Sequence, residues 1–123
     1  MVKRILLVDD DEFVRSMLLK QLTDAGYLVE QENNGSDALE KLKSTQYDLL
    51  VTDIVMPSMT GCELMKAMKK EQIRLPILAI TGGMENAVEE YQCAADLFAD
   101  KTLLKPIDRA ELLYEIRELI GPA

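Results

Sequence analysis

The first apolar run of the chain gives the strongest indication of its fold: residues 5–13 read ILLVDDDEF. Four consecutive aliphatic residues without polar alternation are typical of a strand that is covered on both faces, as the strands of a parallel sheet are. Three aspartates and a glutamate follow at once, with no lysine or histidine among them. The stretch therefore predicts a buried parallel strand with a concentration of negative charge at its carboxyl end.

Further aliphatic runs along the chain predict four more strands. The five predicted strands cover residues 4–9, 27–30, 48–53, 76–81 and 102–105. Apolar residues at helical spacing lie between these runs and after the last of them, and the helix predicted over 84–95 has the weakest pattern. The alternation of strands and helices predicts one domain of the α/β class over residues 1–123.

Turn and cap residues agree with these elements. Gly26 stands where a C-cap glycine is expected, NNGSD at 33–37 supplies turn and cap residues, and Asp108 can cap the last helix. Asp11 and Glu12 are expected to favour the start of the first helix through capping and the helix dipole. We expect an open, doubly wound, flavodoxin-like sheet with five parallel strands in the order 2-1-3-4-5 and five flanking helices.

Composition narrows the class of function. The 14 basic and 22 acidic residues give a net charge of −8, which disfavours a direct nucleic-acid surface because phosphate binding needs clustered cations. No apolar stretch approaches the roughly 20 residues of a membrane span and the N-terminus lacks a signal-peptide pattern, so a cytoplasmic protein is expected. The sequence holds no histidine, and Cys62 and Cys93 are too few for a disulfide framework and are expected to be reduced.

Polar residues stand where the predicted strands end. Asp9 and Asp10 follow the first strand, Asp53 ends the third, Thr81 the fourth and Lys105 the fifth. In an open α/β sheet the functional crevice lies beyond the carboxyl ends of the strands, where the strand order reverses. We therefore expect three carboxylates, one hydroxyl and one ammonium to meet at this edge of the sheet.

Such a cluster suits a magnesium ion and a phosphoryl group. Carboxylates held close together repel one another unless a cation relieves the field, and an all-oxygen donor set favours Mg²⁺. A bound Mg²⁺ neutralises and positions phosphoryl oxygens, so Asp53 is the candidate nucleophile toward phosphorus. Lys105 and the Thr81 hydroxyl can bind phosphoryl oxygens. Gly82 keeps side-chain bulk away and leaves a backbone N–H for the same purpose.

Several motifs together resemble the receiver domain of bacterial two-component response regulators, the CheY-like chemotaxis type included. The resemblance rests on ILLVDDDEFVR, GY, NGSDAL, YDLLVTDIVMPSMTG, PILAITGG and LLKP, which span essentially the whole chain. It implies a signalling domain and not a turnover enzyme. It also implies transfer from the phosphohistidine of a sensor histidine kinase or phosphotransfer protein, since this chain has no histidine of its own.

The resemblance implies a role for each site residue. Asp53 is similar to the phosphoacceptor and Asp10 to the direct Mg²⁺ ligand, with Asp9 acting mainly through water. The backbone carbonyl of Val55 would complete the protein's share of the coordination. The bond from Lys105 to Pro106 is expected to be cis.

The conformational switch of the family is only partly matched. Thr81 resembles the hydroxyl that moves toward the phosphoryl group and Lys105 the lysine that pairs with it, but Thr102 stands where receivers usually have a tyrosine or phenylalanine. Val55 and Gly83 offer no acid or amide to align water, so slow loss of phosphate is expected. A downstream protein or output domain would bind the face formed by the helix over 84–95, the fifth strand and the last helix.

Two other classes use similar features. A phosphorylation-independent adaptor would have the same fold without the chemistry, which the complete set of five polar residues disfavours. A haloacid-dehalogenase-like phosphatase also uses an aspartate nucleophile with Mg²⁺, but it needs a second aspartate two residues further on, where this chain has Val55. We expect neither a direct nucleic-acid partner nor a membrane partner.

Overall fold

The computed structural model describes residues 2–82 and 99–123 of the chain. Five strands lie in this part: β1 (Arg4–Val8), β2 (Leu28–Glu32), β3 (Leu49–Asp53), β4 (Ile77–Thr81) and β5 (Lys101–Leu104). The described helices are α1 (Glu12–Asp24), α2 (Gly35–Ser44), α3 (Gly61–Lys70) and, after β5, α4 (Arg109–Ile120).

All strand pairs are parallel, and the sheet has the order β2-β1-β3-β4-β5. The predicted fold class and strand order are therefore confirmed. Four of the five predicted helices are present, and the fifth, predicted over 84–95, lies outside the described residues. In the described part of the chain no helix has the length and apolar character needed to span a membrane.

The sheet separates two apolar layers, because successive strand side chains point to opposite faces. Leu6 and Val8 of β1 belong to the layer that contains the buried residues of α2 and α3. Ile5 and Leu7 belong to the layer that contains the buried residues of α1 and α4. Both faces of β1 and β3 are thus covered, as their uninterrupted apolar runs predicted.

Strand β2 is one of the two edge strands of the sheet, and its carboxyl end differs from the prediction. The strand continues to Glu32 because it pairs with β1 as far as Val8, whereas the aliphatic run had predicted an end at residue 30. An edge strand that is partly exposed can carry polar residues at its end, so hydropathy does not mark where it stops. The same extension brings Glu32 beside the first acid, since the Asp9 N–H donates to the Glu32 carbonyl at 3.2 Å.

The helix ends follow the predicted caps. Asp11 caps α1, Asn34 caps α2 and Asp108 caps α4, each through its side-chain oxygen. Gly26 has a φ of 101°, the left-handed conformation that glycine adopts most readily after a helix. The sequence therefore placed three helix starts and one helix end to within a residue or two.

The prediction of reduced cysteines is wrong at Cys62, which is disulfide-bonded in the structure. A disulfide depends on the distance between two side chains in the folded chain, and two cysteines without a recognised spacing do not reveal it. Cys93, the other cysteine of the sequence, lies outside the described residues.

Candidate functional site

The carboxyl ends of the strands bring the predicted polar residues to one edge of the sheet. Asp53 is the last residue of β3 and lies opposite Ile80, one residue before Thr81 at the end of β4. Thr81 in turn lies opposite Leu104, one residue before Lys105. The Lys105 N–H donates to the Thr81 carbonyl at 2.8 Å, which fixes the lysine backbone beside the threonine.

The three predicted acids form one cluster. One carboxylate oxygen from each of Asp9, Asp10 and Asp53 lies within 4.8 Å of the others. Asp9 and Asp53 are buried, with 0% and 5% of their surface exposed, whereas Asp10 lies at the exposed rim. The cluster is therefore open to solvent on one side, as a site must be that exchanges ions or phosphate.

Lys105 is the cation of this site. Its Nζ donates to Asp53 Oδ2 at 3.0 Å and lies 3.7 Å from Asp9 Oδ2. Lys105 and Asp9 therefore form an ion pair without a hydrogen bond. Asp9 Oδ2 is buried and has no hydrogen-bond partner among the described residues. One ammonium therefore faces two buried carboxylates and a third at the rim, which leaves the cluster with excess negative charge.

Burial and mutual repulsion perturb the titration of these groups. The pKa of Asp53 is raised to about 6, mainly by burial. The hydrogen bond from Lys105 lowers this pKa, whereas the negative charge of Asp9 raises it. Burial also raises the pKa of Asp9, although the backbone N–H of Asp11 opposes this. Burial lowers the pKa of Lys105, but the hydrogen bond and charge of Asp53 outweigh it, so that pKa lies above its ordinary value.

The donor set fits a hard divalent cation. Three carboxylates, two from the loop after β1 and one from the end of β3, offer oxygen ligands only, and the unpartnered Asp9 Oδ2 marks negative charge that a single lysine does not satisfy. Thr81 Oγ1 is also buried and has no hydrogen-bond partner within the described residues. Buried polar atoms without partners are uncommon and call for a ligand, an ion or water.

The remaining predicted site residues lie around this cluster. The Val55 backbone N–H lowers the pKa of Asp53, while the Val55 side chain is 52% exposed and carries no polar group. A side chain at Gly82 would meet no atom within 4 Å, so the space beside it is open. Thr102 is partly exposed on β5, opposite Ala79. The Lys105–Pro106 bond is cis, as predicted, and Gly83 lies outside the described residues.

Sequence reasoning missed two residues that shape the site. A Cβ at Gly61 would lie 2.4 Å from the Asp53 carbonyl oxygen and 2.9 Å from Ile54 Cα, so the start of α3 packs directly on the end of β3. Arg15 of α1 donates from Nη1 to the Asp9 carbonyl at 2.7 Å. The sequence gives a signal only for Gly61, a glycine at a helix start, and that signal does not indicate which backbone approaches it.

Replacing Gly61 by alanine is expected to lower the free energy of unfolding by about 1–3 kcal/mol, because the new methyl group must displace the backbone of Asp53 and Ile54. Urea unfolding of the metal-free protein measures the change. Gly82→Ala is the matched control, since its Cβ meets open space and a change within about 0.5 kcal/mol is expected. Equal losses in the two variants would contradict the close contact at Gly61.

Comparison with known proteins agrees with this arrangement. The family model of the response regulator receiver domain matches residues 5–117. Response regulator MprA of Mycobacterium leprae (strain TN) is 40% identical over 117 residues, which are 95% of this chain and 50% of that protein. The chain belongs to the response regulator receiver domain family of two-component signalling systems, and it spans about half the length of the curated relatives it matches.

Solved structures give the same result. Chemotaxis response regulator CheY4 of Vibrio cholerae is 33% identical with a TM-score of 0.84, covering 97% of this chain and 99% of that one. The receiver domain of a sensor histidine kinase from Pseudomonas aeruginosa PAO1 is 26% identical with a TM-score of 0.88, covering 98% and 99%. That structure has a magnesium ion coordinated in its active site cleft.

Proposed function

We propose that residues 1–123 form a receiver domain in which Asp53 accepts a phosphoryl group from the phosphohistidine of a histidine kinase or phosphotransfer protein, in a Mg²⁺-dependent reaction. One observation carries the proposal. Asp53 lies at the end of β3 with Lys105 Nζ 3.0 Å from its Oδ2 and two further carboxylates within 4.8 Å. A nucleophile, a cation and a set of oxygen ligands thus meet at the carboxyl ends of the strands, where the site is open to solvent.

Asp53 would act as the nucleophile. Burial holds its pKa at about 6, so the carboxylate is mostly ionised at neutral pH and more basic than an exposed aspartate. One of its oxygens would form a bond to phosphorus while the bond from phosphorus to the donor imidazole nitrogen breaks, and the imidazole leaves as a neutral group because its other ring nitrogen carries a proton. The product would be an acyl phosphate, which is labile enough to reset the signal.

The carboxylates of Asp9, Asp10 and Asp53 and the backbone carbonyl of Val55 are the groups that would hold Mg²⁺, Asp10 directly and Asp9 mainly through water. When bound, the ion would neutralise charge on the carboxylates and on the phosphoryl oxygens. Lys105 would then bind a phosphoryl oxygen instead of the free Asp53 carboxylate, and the open space beside Gly82 leaves room for another. These residues bind and orient the group that Asp53 receives.

Thr81 would couple phosphorylation to a change of conformation. Its buried hydroxyl has no hydrogen-bond partner within the described residues, so a phosphoryl oxygen nearby would supply one and favour a second conformation. Thr102 occupies the position of the usual aromatic residue, so this switch would work without the inward turn of a ring. The domain would signal through the two populations and would not turn over a substrate.

The partner surfaces follow from this assignment. A histidine kinase or phosphotransfer protein would dock over the open edge of the sheet. A downstream protein or output domain would use β5 and α4 together with the helix predicted over 84–95, which is outside the described residues. Leu104 and Tyr114 are 55% and 60% exposed on the described part of that face, which supports a docking role there.

Labelling with acetyl phosphate tests the proposal. The wild-type chain is expected to gain the mass of one phosphoryl group in the presence of Mg²⁺ and none with a chelator, and Asp53→Asn is expected to gain none. Asp24→Asn, which changes an exposed aspartate at the end of α1, is the matched control and should be labelled normally. A wild type that is never labelled would favour the phosphorylation-independent adaptor.

Magnesium is expected to stabilise the domain through Asp10. At a Mg²⁺ concentration about ten times the dissociation constant, binding adds about 1.4 kcal/mol to the free energy of unfolding, or about 5 °C in melting temperature. Asp10→Asn should lose most of this shift. Asp11→Asn is the matched control, because asparagine keeps the α1 cap that Asp11 provides. Thermal unfolding with and without Mg²⁺ measures these shifts in melting temperature. Equal shifts in Asp10→Asn and Asp11→Asn would overturn the role of Asp10.

The acyl phosphate is expected to be lost slowly. The exposed side chain of Val55, two residues after Asp53, has no acid or amide that could orient an attacking water. Val55→Asn should shorten the lifetime about tenfold or more by supplying such a group. Intact mass measured at intervals after removal of acetyl phosphate gives both rates, and loss within seconds from the wild type would refute the prediction.

A further inference from the structure

Arg15 reaches from the first turn of α1 to the loop that carries the acids. Its Nη1 donates to the Asp9 carbonyl at 2.7 Å, and its Nε donates to Gln31 Oε1 at 3.0 Å. Two N–H groups of one planar guanidinium are thus held by two separate elements, the loop after β1 and the end of β2. A side chain held at both points has a fixed orientation.

The carbonyl that Arg15 binds belongs to the peptide unit joining Asp9 to Asp10. The Asp9 N–H donates to the Glu32 carbonyl at 3.2 Å, and Asp9 Oδ1 accepts from the Asp11 N–H at 2.9 Å. Together with Arg15, these bonds fix the loop before, at and after the first acid. Asp10 is exposed and is carried by this loop, so the direction of its Cα–Cβ bond depends on the peptide unit that Arg15 holds.

We propose that Arg15 is a positioning residue for the Mg²⁺ site: it holds the peptide between Asp9 and Asp10 so that the Asp10 carboxylate stays within reach of Asp53. This inference rests on the proposed function of the site. Groups that orient the ligands of a metal ion typically contribute 10-fold to 100-fold in affinity. Arg15 would act entirely through the loop and would touch neither the ion nor the phosphoryl group.

If Arg15 acted only through its charge, its removal would change the Mg²⁺ affinity in the opposite direction. The guanidinium is bound to the backbone of the loop that carries Asp9 and Asp10, so its positive charge opposes binding of Mg²⁺, and removal of the charge by itself would strengthen binding of the ion. Loss of the loop orientation would instead weaken Mg²⁺ binding. The direction of the change in Arg15→Gln therefore separates positioning from simple electrostatics.

Calorimetric titration of the full chain with Mg²⁺ alone tests the inference. Arg15→Gln is expected to bind Mg²⁺ about 10-fold more weakly than the wild type. Arg15→Lys should also bind more weakly despite its unchanged charge, because one ammonium cannot reproduce the two fixed donors of the guanidinium. Lys20→Gln, which removes an exposed cation from the last turns of α1, is the control for charge and should leave the affinity unchanged.

Urea unfolding of each variant in a chelator shows whether it folds. A merely structural role for Arg15 would lower the urea midpoint and leave the Mg²⁺ dissociation constant unchanged, which would overturn the inference. Equal or tighter Mg²⁺ binding by Arg15→Gln, with a wild type that binds, would also overturn it and leave the proposed function intact. A wild type that binds no Mg²⁺ and is not labelled by acetyl phosphate would overturn both.

Discussion

Replacing Lys105 by methionine is expected to lower the free energy of unfolding of the metal-free domain by about 3 kcal/mol at pH 8, because it leaves two buried carboxylates without their cation. Lys105 Nζ lies 3.0 Å from Asp53 Oδ2 and 3.7 Å from Asp9 Oδ2, and no other salt bridge to either carboxylate is found among the described residues. Methionine keeps the length of the apolar stem, so the loss is electrostatic. Urea unfolding in the presence of a chelator measures it.

The loss should depend on pH and on Asp53. At pH 5 the carboxylates can take up protons instead of remaining unpaired, so the effect of Lys105→Met should shrink. Adding Asp53→Asn to the variant should restore part of the stability. Lys20→Met is the control, because the Lys20–Asp24 pair is exposed and its removal should cost less than about 1 kcal/mol. A loss of the same size in this control would refute the account of the cluster.

Asp53→Asn alone is expected to raise the free energy of unfolding of the metal-free domain, whereas Lys105→Met lowers it. The pKa of Asp53 is about 6 instead of 3.8, and each pKa unit corresponds to about 1.4 kcal/mol, so the gain at pH 8 should reach at most about 3 kcal/mol. Lys105 keeps Asp9 as a partner at 3.7 Å, which limits the loss on the cation side. The group that performs the chemistry would thus be one that weakens the fold.

The pH dependence follows from the same pKa. Because the pKa of Asp53 is higher in the folded state than in the unfolded state, the folded state binds more protons at pH values between 3.8 and about 6. The contribution of Asp53 to stability therefore falls as the pH rises through this window and stays low above it. Urea unfolding from pH 4 to pH 8 in a chelator should show a smaller fall for Asp53→Asn than for the wild type or the exposed-site control Asp24→Asn. Equal slopes for all three would contradict the raised pKa.

Most of the fold could be predicted from the sequence because every strand except β2 is marked twice. An aliphatic run marks its length, and a polar residue such as Asp53 or Thr81 marks its carboxyl end. Parallel pairing then brings these ends to one edge, so the meeting of Asp9, Asp10 and Asp53 follows from strand order alone.

Other features could not be predicted because they depend on contacts between distant parts of the chain. Arg15 is one of 14 basic residues, and only the folded loop shows that its guanidinium binds the Asp9 carbonyl. The contact of Gly61 with the Asp53 backbone depends on the angle at which α3 leaves the sheet. The polar end of β2 at Glu32 depends on its pairing with β1. None of these contacts changes the local pattern of hydropathy or charge.

The proposed role of Asp53 as the phosphoacceptor can be tested by mapping the residue that is phosphorylated. Borohydride reduction converts an aspartyl phosphate to homoserine, which peptide mass spectrometry can locate in the acetyl phosphate-treated chain. We predict homoserine at position 53 in the Mg²⁺-treated wild type and at no position in the chelator-treated sample. Homoserine at Asp9 or Asp10, or a phosphate that resists borohydride on a serine or threonine, would contradict the claim.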